Sequence, residues 1–198
     1  HAVSNVGSNN YTYDANGNMT RKNGVNISWS DFNRMEKLGS HSFSYDANGA
    51  RIKRTIGNFT TFYASEGYQE KNGKKRYSIV LAGLTVGERV DGVTFFTHPD
   101  IRGSVNIVSD GSGKLAKRQR FLPYGKQIAG MFGHQTPEGY IGEVENREAI
   151  YIPLGGAIVP INQSTGLIHL GARYYDPDLG RFISPDPIHP LVKGVGLN

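Results

Sequence analysis

The sequence has no cysteine, which excludes disulfides and thiolate metal sites and leaves packing to hold the fold. No window comes near the roughly 18 consecutive apolar residues of a membrane-spanning helix. Leucine is scarce, and no segment before residue 130 sustains a 3.6-residue apolar period, so long amphipathic helices are excluded there. Phosphate-cradling and dinucleotide-binding glycine motifs are missing, as is the nucleophile elbow of a serine hydrolase. The chain opens on His1 rather than methionine and stops at Leu197-Asn198, so it is expected to be a piece of a longer polypeptide; the lack of a signal-peptide pattern then carries no weight.

What the sequence holds instead is turns and rings. Glycine supplies 26 of 198 residues, about twice its average share, and tyrosine and phenylalanine supply 11 and 9. That profile predicts a turn-rich all-β protein. The net charge of +5 raises the question of an acidic partner, and Lys114, Lys117, Arg118 and Arg120 lie close together. No aromatic-interleaved groove accompanies them, so the cluster is read as a solvated strand whose lysines discourage edge pairing, not as a nucleic-acid site.

A repeat governs the first part of the chain. Tyr11-Thr12-Tyr13-Asp14-Ala15-Asn16-Gly17 returns as Phe43-Ser44-Tyr45-Asp46-Ala47-Asn48-Gly49, with Tyr13 and Tyr45 32 residues apart. Trp29-Ser30-Asp31-Phe32-Asn33 is a degenerate copy 16 residues from each, so the unit is 16 residues. That length suits two short strands and tight turns. The alternating rings are expected to share one face and stack on the next repeat, while Asp14 and Asp46 accept bonds from N–H groups two or three residues on. Asn-Gly at 16–17, 23–24, 48–49 and 72–73, and Asp-Gly at 91–92 and 110–111, predict a continuous meander of hairpins.

Near the end stands Gly166-Leu167-Ile168-His169-Leu170-Gly171-Ala172-Arg173-Tyr174-Tyr175-Asp176-Pro177-Asp178-Leu179-Gly180-Arg181-Phe182-Ile183-Ser184-Pro185-Asp186-Pro187, a strand, corner, strand, corner pattern. It closely resembles the segment that ends the repeat region of RHS proteins, whose repeats carry a tyrosine-aspartate (YD) motif. His98-Pro99-Asp100-Ile101-Arg102-Gly103-Ser104-Val105, followed by a second hairpin and a degraded corner at Phe121-Leu122-Pro123-Tyr124-Gly125, resembles the same family. The resemblance implies structural YD positions at Tyr13, Asp14, Gly17, Tyr45, Asp46, Gly49, Tyr175, Asp176 and Gly180. It divides the chain into a YD hairpin strip (1–130), a family-atypical insertion or plug (131–163) and the core end segment (164–198). Within the insertion, Pro153 and Pro160 exclude a continuous helix or a central strand and leave an extra hairpin or a docking plug.

What the resemblance implies for function is a spiralling β-shell, or cocoon, that encloses a C-terminal toxin domain until delivery. The implied partners are the chain's own upstream repeats, that toxin domain and a component of a delivery machine such as a type VI secretion apparatus. No specific nucleic acid, membrane span, cofactor or metal is implied, and the implied setting is a bacterial protein made in the cytoplasm and then exported or delivered. In many RHS proteins the core is also an intramolecular aspartic protease, and Asp186 either matches the first aspartate of its pair or is a proline-flanked turn that caps the last strand. Here the expected glycine is His189 and the second Asp-Pro-x-Gly is missing, so the given sequence is expected to be inert. Arg173 and Arg181 lie close enough to hold Asp176, Asp178 or Asp186 ionised. A surface-adhesion or carbohydrate-binding role is a further alternative, because teneurins also carry a YD shell.

Two other clusters invite chemistry. His98, Asp100 and Arg102 offer too few ligands for a metal and are read as a hydrogen-bonded corner. Glu138, Glu143, Glu145 and Glu148 could suggest glycoside hydrolysis, but without an aromatic sugar platform they are read as a solvated loop.

Overall fold

The computed structural model describes residues 2–65, 67–130, 139, 150–154, 157–161 and 166–186. All regular structure among them is β. Fifteen strands form one sheet: β1 (Asn5–Val6), β2 (Asn9–Tyr13), β3 (Met19–Lys22), β4 (Val25–Trp29), β5 (Met35–Leu38), β6 (His41–Tyr45), β7 (Arg51–Ile56), β8 (Phe59–Ser65), β9 (Tyr68–Lys71), β10 (Lys74–Leu81), β11 (Leu84–Val90), β12 (Val93–Pro99), β13 (Val105–Asp110), β14 (Leu115–Phe121) and β15 (Gln127–Gly130). Their spatial order is their sequence order, and every pairing is antiparallel. The expected meander is therefore continuous from one end of the strip to the other.

Two kinds of turn build it, and they divide the predicted Asn-Gly and Asp-Gly marks between them. At Asn23-Gly24, Asn72-Gly73 and Asp91-Gly92 both residues have positive φ, the geometry of a two-residue hairpin that follows the twist of its strands. Each Asx side chain also anchors the turn to a more distant strand: Asn23, Asn72 and Asp91 accept from the N–H of Asn10, Thr60 and Lys75 at 3.0, 3.0 and 2.9 Å. The second kind spans five residues and carries the YD motif. Asp14 Oδ1 accepts from the N–H of Asn18 at 2.8 Å, and Asp46 Oδ1 from that of Ala50 at 2.8 Å, so the bond reaches four residues on rather than two or three.

Positive φ in this second turn belongs only to Gly17 and Gly49, with Asn33 in the same place in the degenerate copy. Asn16, Asn48 and Gly111 do not share it, which corrects the expected two-residue hairpins at 16–17, 48–49 and 110–111. The five-residue turn recurs at Asp100 and Asp110, where the aspartate accepts from both the second and the fourth following N–H. A register shift precedes each such turn, beside Tyr13, Trp29 and Tyr45 in the repeats. The aspartate closes the loop and the bulge turns the aromatic side chain.

The repeats join differently from the expected ring stacking. Trp29 Nε1 donates to Met19 O and Tyr45 Oη donates to Met35 O, both at 2.8 Å and both ten residues back. Tyr13, Trp29 and Tyr45 make no ring pair with one another among the described residues. Trp29 and Tyr45 thus each satisfy a carbonyl of the preceding unit, and Tyr13, Trp29 and Tyr45 all pack against the apolar cluster. The buried positions keep the 16-residue period: Tyr11, Ile27 and Phe43 in one slot, and Met19 and Met35 in another.

Two small sheets follow. β16 (Ile150–Leu154) and β17 (Ala157–Ile161) form a hairpin that includes both prolines, while most of the expected insertion or plug at 131–163 lies outside the described residues. β18 (Ile168–Leu170), β19 (Arg173–Asp176) and β20 (Arg181–Phe182) form the three-stranded core segment.

Candidate functional site at the core segment

The core segment lies on the first repeats because its sequence alternates. Leu167, Ile168, Tyr174 and Ile183 are buried, and all but Ile168 join one cluster with Tyr11, Met19, Ile27, Met35, Leu38 and Phe43. At about 25 cal/mol per Å² of apolar surface, burying a large side chain contributes roughly 1.5–3 kcal/mol, so these contacts dominate the attachment. Backbone bonding fixes the register, with Met19 N–H donating to Ile183 O at 2.8 Å. A Cβ on Gly17 would sit 3.2 Å from Pro185 Cγ, so the first YD turn and the end of the core segment meet closely.

Tyr174 is the centre of the polar contacts. Its hydroxyl lies 3.3 Å from Tyr45 Oη and accepts from Arg51 Nη1 at 3.3 Å, and its ring meets Phe43 and His169 with centroids 5.5 and 4.8 Å apart. Burial raises the Tyr45 phenol well above its ordinary value, and the neighbouring Tyr174 adds to the effect. Burial also pushes His169 down to about 3, helped by the charge of Arg51. The histidine is therefore neutral in the folded chain, while the unfolded chain takes up a proton near its ordinary value. Stability should be complete above about pH 6.5 and fall as the pH drops toward 3. Urea unfolding at several pH values should show a smaller loss for His169→Gln than for the parent chain.

A second polar group clasps the other side. Asp176 is fully buried and pairs with Lys22 Nζ at 2.7 Å, although the two are not aligned as a straight hydrogen bond. Asp178 lies 3.6 Å from the same ammonium and 2.9 Å from Lys126 Nζ, tying β3, the core segment and the turn before β15 together. Burial works to raise the Asp178 carboxyl, but the Lys126 bond and the Lys22 charge outweigh it and hold it below the usual range.

Asp186 is half-exposed and pairs with Arg173 Nη2 at 3.1 Å, while the Arg173 guanidinium covers the Phe182 ring at 3.6 Å. The ion pairs thus correct the expected assignment. Arg173 does hold Asp186, but Arg181 is exposed and holds no carboxylate among the described residues. Tyr175 packs edge-on against Phe182, and the N–H of Gly180 closes the corner on Asp176 O at 2.8 Å. His189 lies outside the described residues.

Sequence reasoning missed Lys22, Lys126 and Arg51. The repeat itself held a signal for Arg51, since it occupies the slot of Met19 and Met35. Elsewhere, His98 Nε2 lies 2.9 Å from Ser109 Oγ, and Asp100 is held below its ordinary value by N–H bonds that outweigh its burial. No group of three or more metal-ligating side chains occurs among the described residues. Of the four glutamates, none lies within the described residues.

No family model matches the chain. Over 188 residues it is 27% identical to the tRNA3(Ser)-specific nuclease WapA of Bacillus spizizenii, an alignment covering 89% of this chain and 7% of that protein. It is 30% identical over 97 residues to toxin subunit YenC1 of Yersinia entomophaga, across 46% of this chain and 8% of that one. The solved complex TcdB2-TccC3-Cdc42 contains a chain that superposes on 90% of this one with a TM-score of 0.63 and 15% identity. These likenesses agree with the resemblance to RHS/YD-repeat toxin proteins carried by the sequence. Its strip of fifteen antiparallel strands has the all-β fold of the matching part of that solved chain, an RHS/YD β-cocoon. The chain spans about 7% of the length of the WapA relative and 12% of the superposed chain.

Proposed function

We propose that the chain is the closing end of an RHS shell wall that encloses a C-terminal toxin domain and presents it for export or delivery. The observation that carries this reading is the seating of Leu167, Tyr174 and Ile183 on the apolar face of the first three repeats, which makes the core segment a seal. The likeness to a nuclease and to a toxin subunit supports the cargo's being toxic. The upstream repeats, the toxin domain and the delivery machine are the partners, and containment is the role. The test is limited proteolysis of the chain joined to its native downstream sequence. Protection of the downstream domain is expected, with Leu167→Asp exposing it. Equal digestion of parent and variant would remove the sealing role.

A second reading concerns Asp186. Its pairing with Arg173, together with the Gly17–Pro185 contact, holds one carboxylate in a fixed place beside the first repeat. A second aspartate supplied by downstream sequence could share its proton, so that one carboxylate takes a proton from water while the other polarises the scissile carbonyl. In the joined polypeptide, cleavage that persists in Asp186→Asn would exclude this role.

A further inference from the structure

Alternation along the strands gives the strip two unlike faces. Phe43 is in register with Arg54 and Arg54 with Thr61, so the face that carries the core segment runs on to β8. Tyr63, Gln69 and Arg76 continue it across β9 and β10, where Arg76 pairs with the buried Glu88. Phe62, Tyr77 and Phe96 fall on the opposite face. They are 50%, 47% and 40% exposed, so their rings stay open to a ligand.

These rings lie on a diagonal. Phe62 is in register with Glu70 and then Lys75, Tyr68 with Tyr77 and then Arg89, and Ile79 with Gly87 and then Phe96. Each row sits two residues further along β10, so the line climbs steadily from β8 to β12. Two strands across and two residues along make a step of roughly 12 Å, which spaces Phe62, Tyr77 and Phe96 to take separate planar groups. The Tyr68 and Tyr77 rings, 5.0 Å apart, widen the middle step.

Cations flank the line. Lys53 Nζ stands over the Phe62 ring at 5.8 Å, Lys75 and Arg89 are exposed in the rows of Phe62 and Tyr77, and Arg118 is exposed in the row that runs from His98 through Ile107. Two carboxylates interrupt them. Glu70 accepts from Tyr68 Oη at 3.1 Å, and Asp91 closes its turn on the N–H of Lys75 at 2.9 Å.

We propose that this diagonal binds a single-stranded polynucleotide without sequence preference, unpaired bases stacking on Phe62, Tyr77 and Phe96 while phosphates meet Lys53, Lys75, Arg89 and Arg118. The run from Lys114 to Arg120 has cations without interleaved rings, and the sheet brings rings to Arg118 from strands upstream. An acidic peptide is the poorer occupant because it would leave the rings idle. A neutral sugar would use the rings and gain little from the cations. A polyanion whose charges alternate with flat apolar groups uses both.

The test is fluorescence anisotropy of labelled oligo(dT) and oligo(U) of about 15 nucleotides, titrated with the full chain at about 50 mM KCl. Saturable binding is expected, with the logarithm of the association constant falling against log salt at a slope of about −3 for four phosphate contacts. Tyr77→Ala and Phe96→Ala should each raise the dissociation constant about tenfold. Lys75→Gln should weaken binding and reduce the slope by about 0.7, whereas Lys37→Gln, the same change at an exposed lysine of β5, should alter neither. All four variants should keep the parent melting temperature. Tighter binding of one strand type supports the site and identifies its ligand as RNA or DNA. No binding at hundreds of micromolar overturns the proposal, as do equal losses from Lys75→Gln and Lys37→Gln, which would reduce the effect to net charge. Binding indifferent to both ring variants overturns it, and so does a duplex of the same length bound as tightly as the single strand. Salt-independent binding of maltoheptaose that Tyr77→Ala abolishes, in place of the oligonucleotides, overturns it by making the rings a sugar platform. The core segment lies on the other face, so none of these outcomes bears on whether it seals a cargo.

Discussion

Asp176→Asn is expected to lower the stability of the folded chain by about 3–5 kcal/mol, because it leaves the ammonium of Lys22 buried without its counter-charge. Asparagine keeps the Oδ1 that accepts from Asp178 N–H at 2.9 Å, so the change isolates the charge from the turn. The surface half of the clasp, Lys126 with Asp178, is largely exposed on the lysine, and Lys126→Ala should cost less than about 1 kcal/mol. Thermal unfolding followed by the fluorescence of Trp29, the single tryptophan, should show a drop on the order of 10 °C for Asp176→Asn. Replacing both partners, Lys22→Met with Asp176→Leu, should restore most of the loss, since the desolvation cost then disappears from both sides. A melting point for Asp176→Asn no lower than that of Lys126→Ala would show that Lys22 finds another partner.

Tyr174→Ala should cost about 3–5 kcal/mol, the range for truncating a buried aromatic side chain. The ring packs on Phe43 and His169, and its loss opens a gap where the core segment meets the third repeat. Tyr174→Phe keeps the ring and removes only the hydroxyl shared with Tyr45 and Arg51, so about 1–2 kcal/mol is expected. Urea midpoints of the two variants separate packing from hydrogen bonding. Equal losses would place the weight on the hydroxyl. Tyr174→Ala should also detach the core segment before the strip unfolds, visible as earlier amide exchange at Ile168 and Ile183.

The strip was legible in the sequence because its information is local. The 16-residue spacing of Tyr13, Trp29 and Tyr45 and the glycines at 17 and 49 specify hairpins whatever lies around them. The finer geometry was less legible because one dipeptide serves two turns. Asn23-Gly24 bends in two residues, whereas Asn16-Gly17 completes a five-residue loop set by Asp14, and only the upstream aspartate distinguishes them. The expectation that rings stack between repeats overlooked a backbone carbonyl within reach of each donor, and the Met19 and Met35 carbonyls take those bonds instead.

The long-range partners were illegible for a different reason. Lys22 and Asp176 are far apart in the chain, and nothing local to Lys22 signals a buried cation. The pairing of Arg173 with Asp186 was within reach because both lie in one short meander, while Arg181, equally close in sequence, turns to solvent. In strand arithmetic, Arg181 pairs with Asp176 across β19 and β20, but the Asp176 carboxylate reaches away to β3.

The strip's sheet order has a temporal consequence. A meander in which each strand meets only the one just before it can zip up progressively as the polypeptide emerges from the ribosome, each new hairpin adding to a finished edge. Tyr45 must then wait for a tyrosine 129 positions later, so the first repeats keep an uncovered oily face throughout synthesis of everything between. That interval is when a chaperone would be needed to cover it.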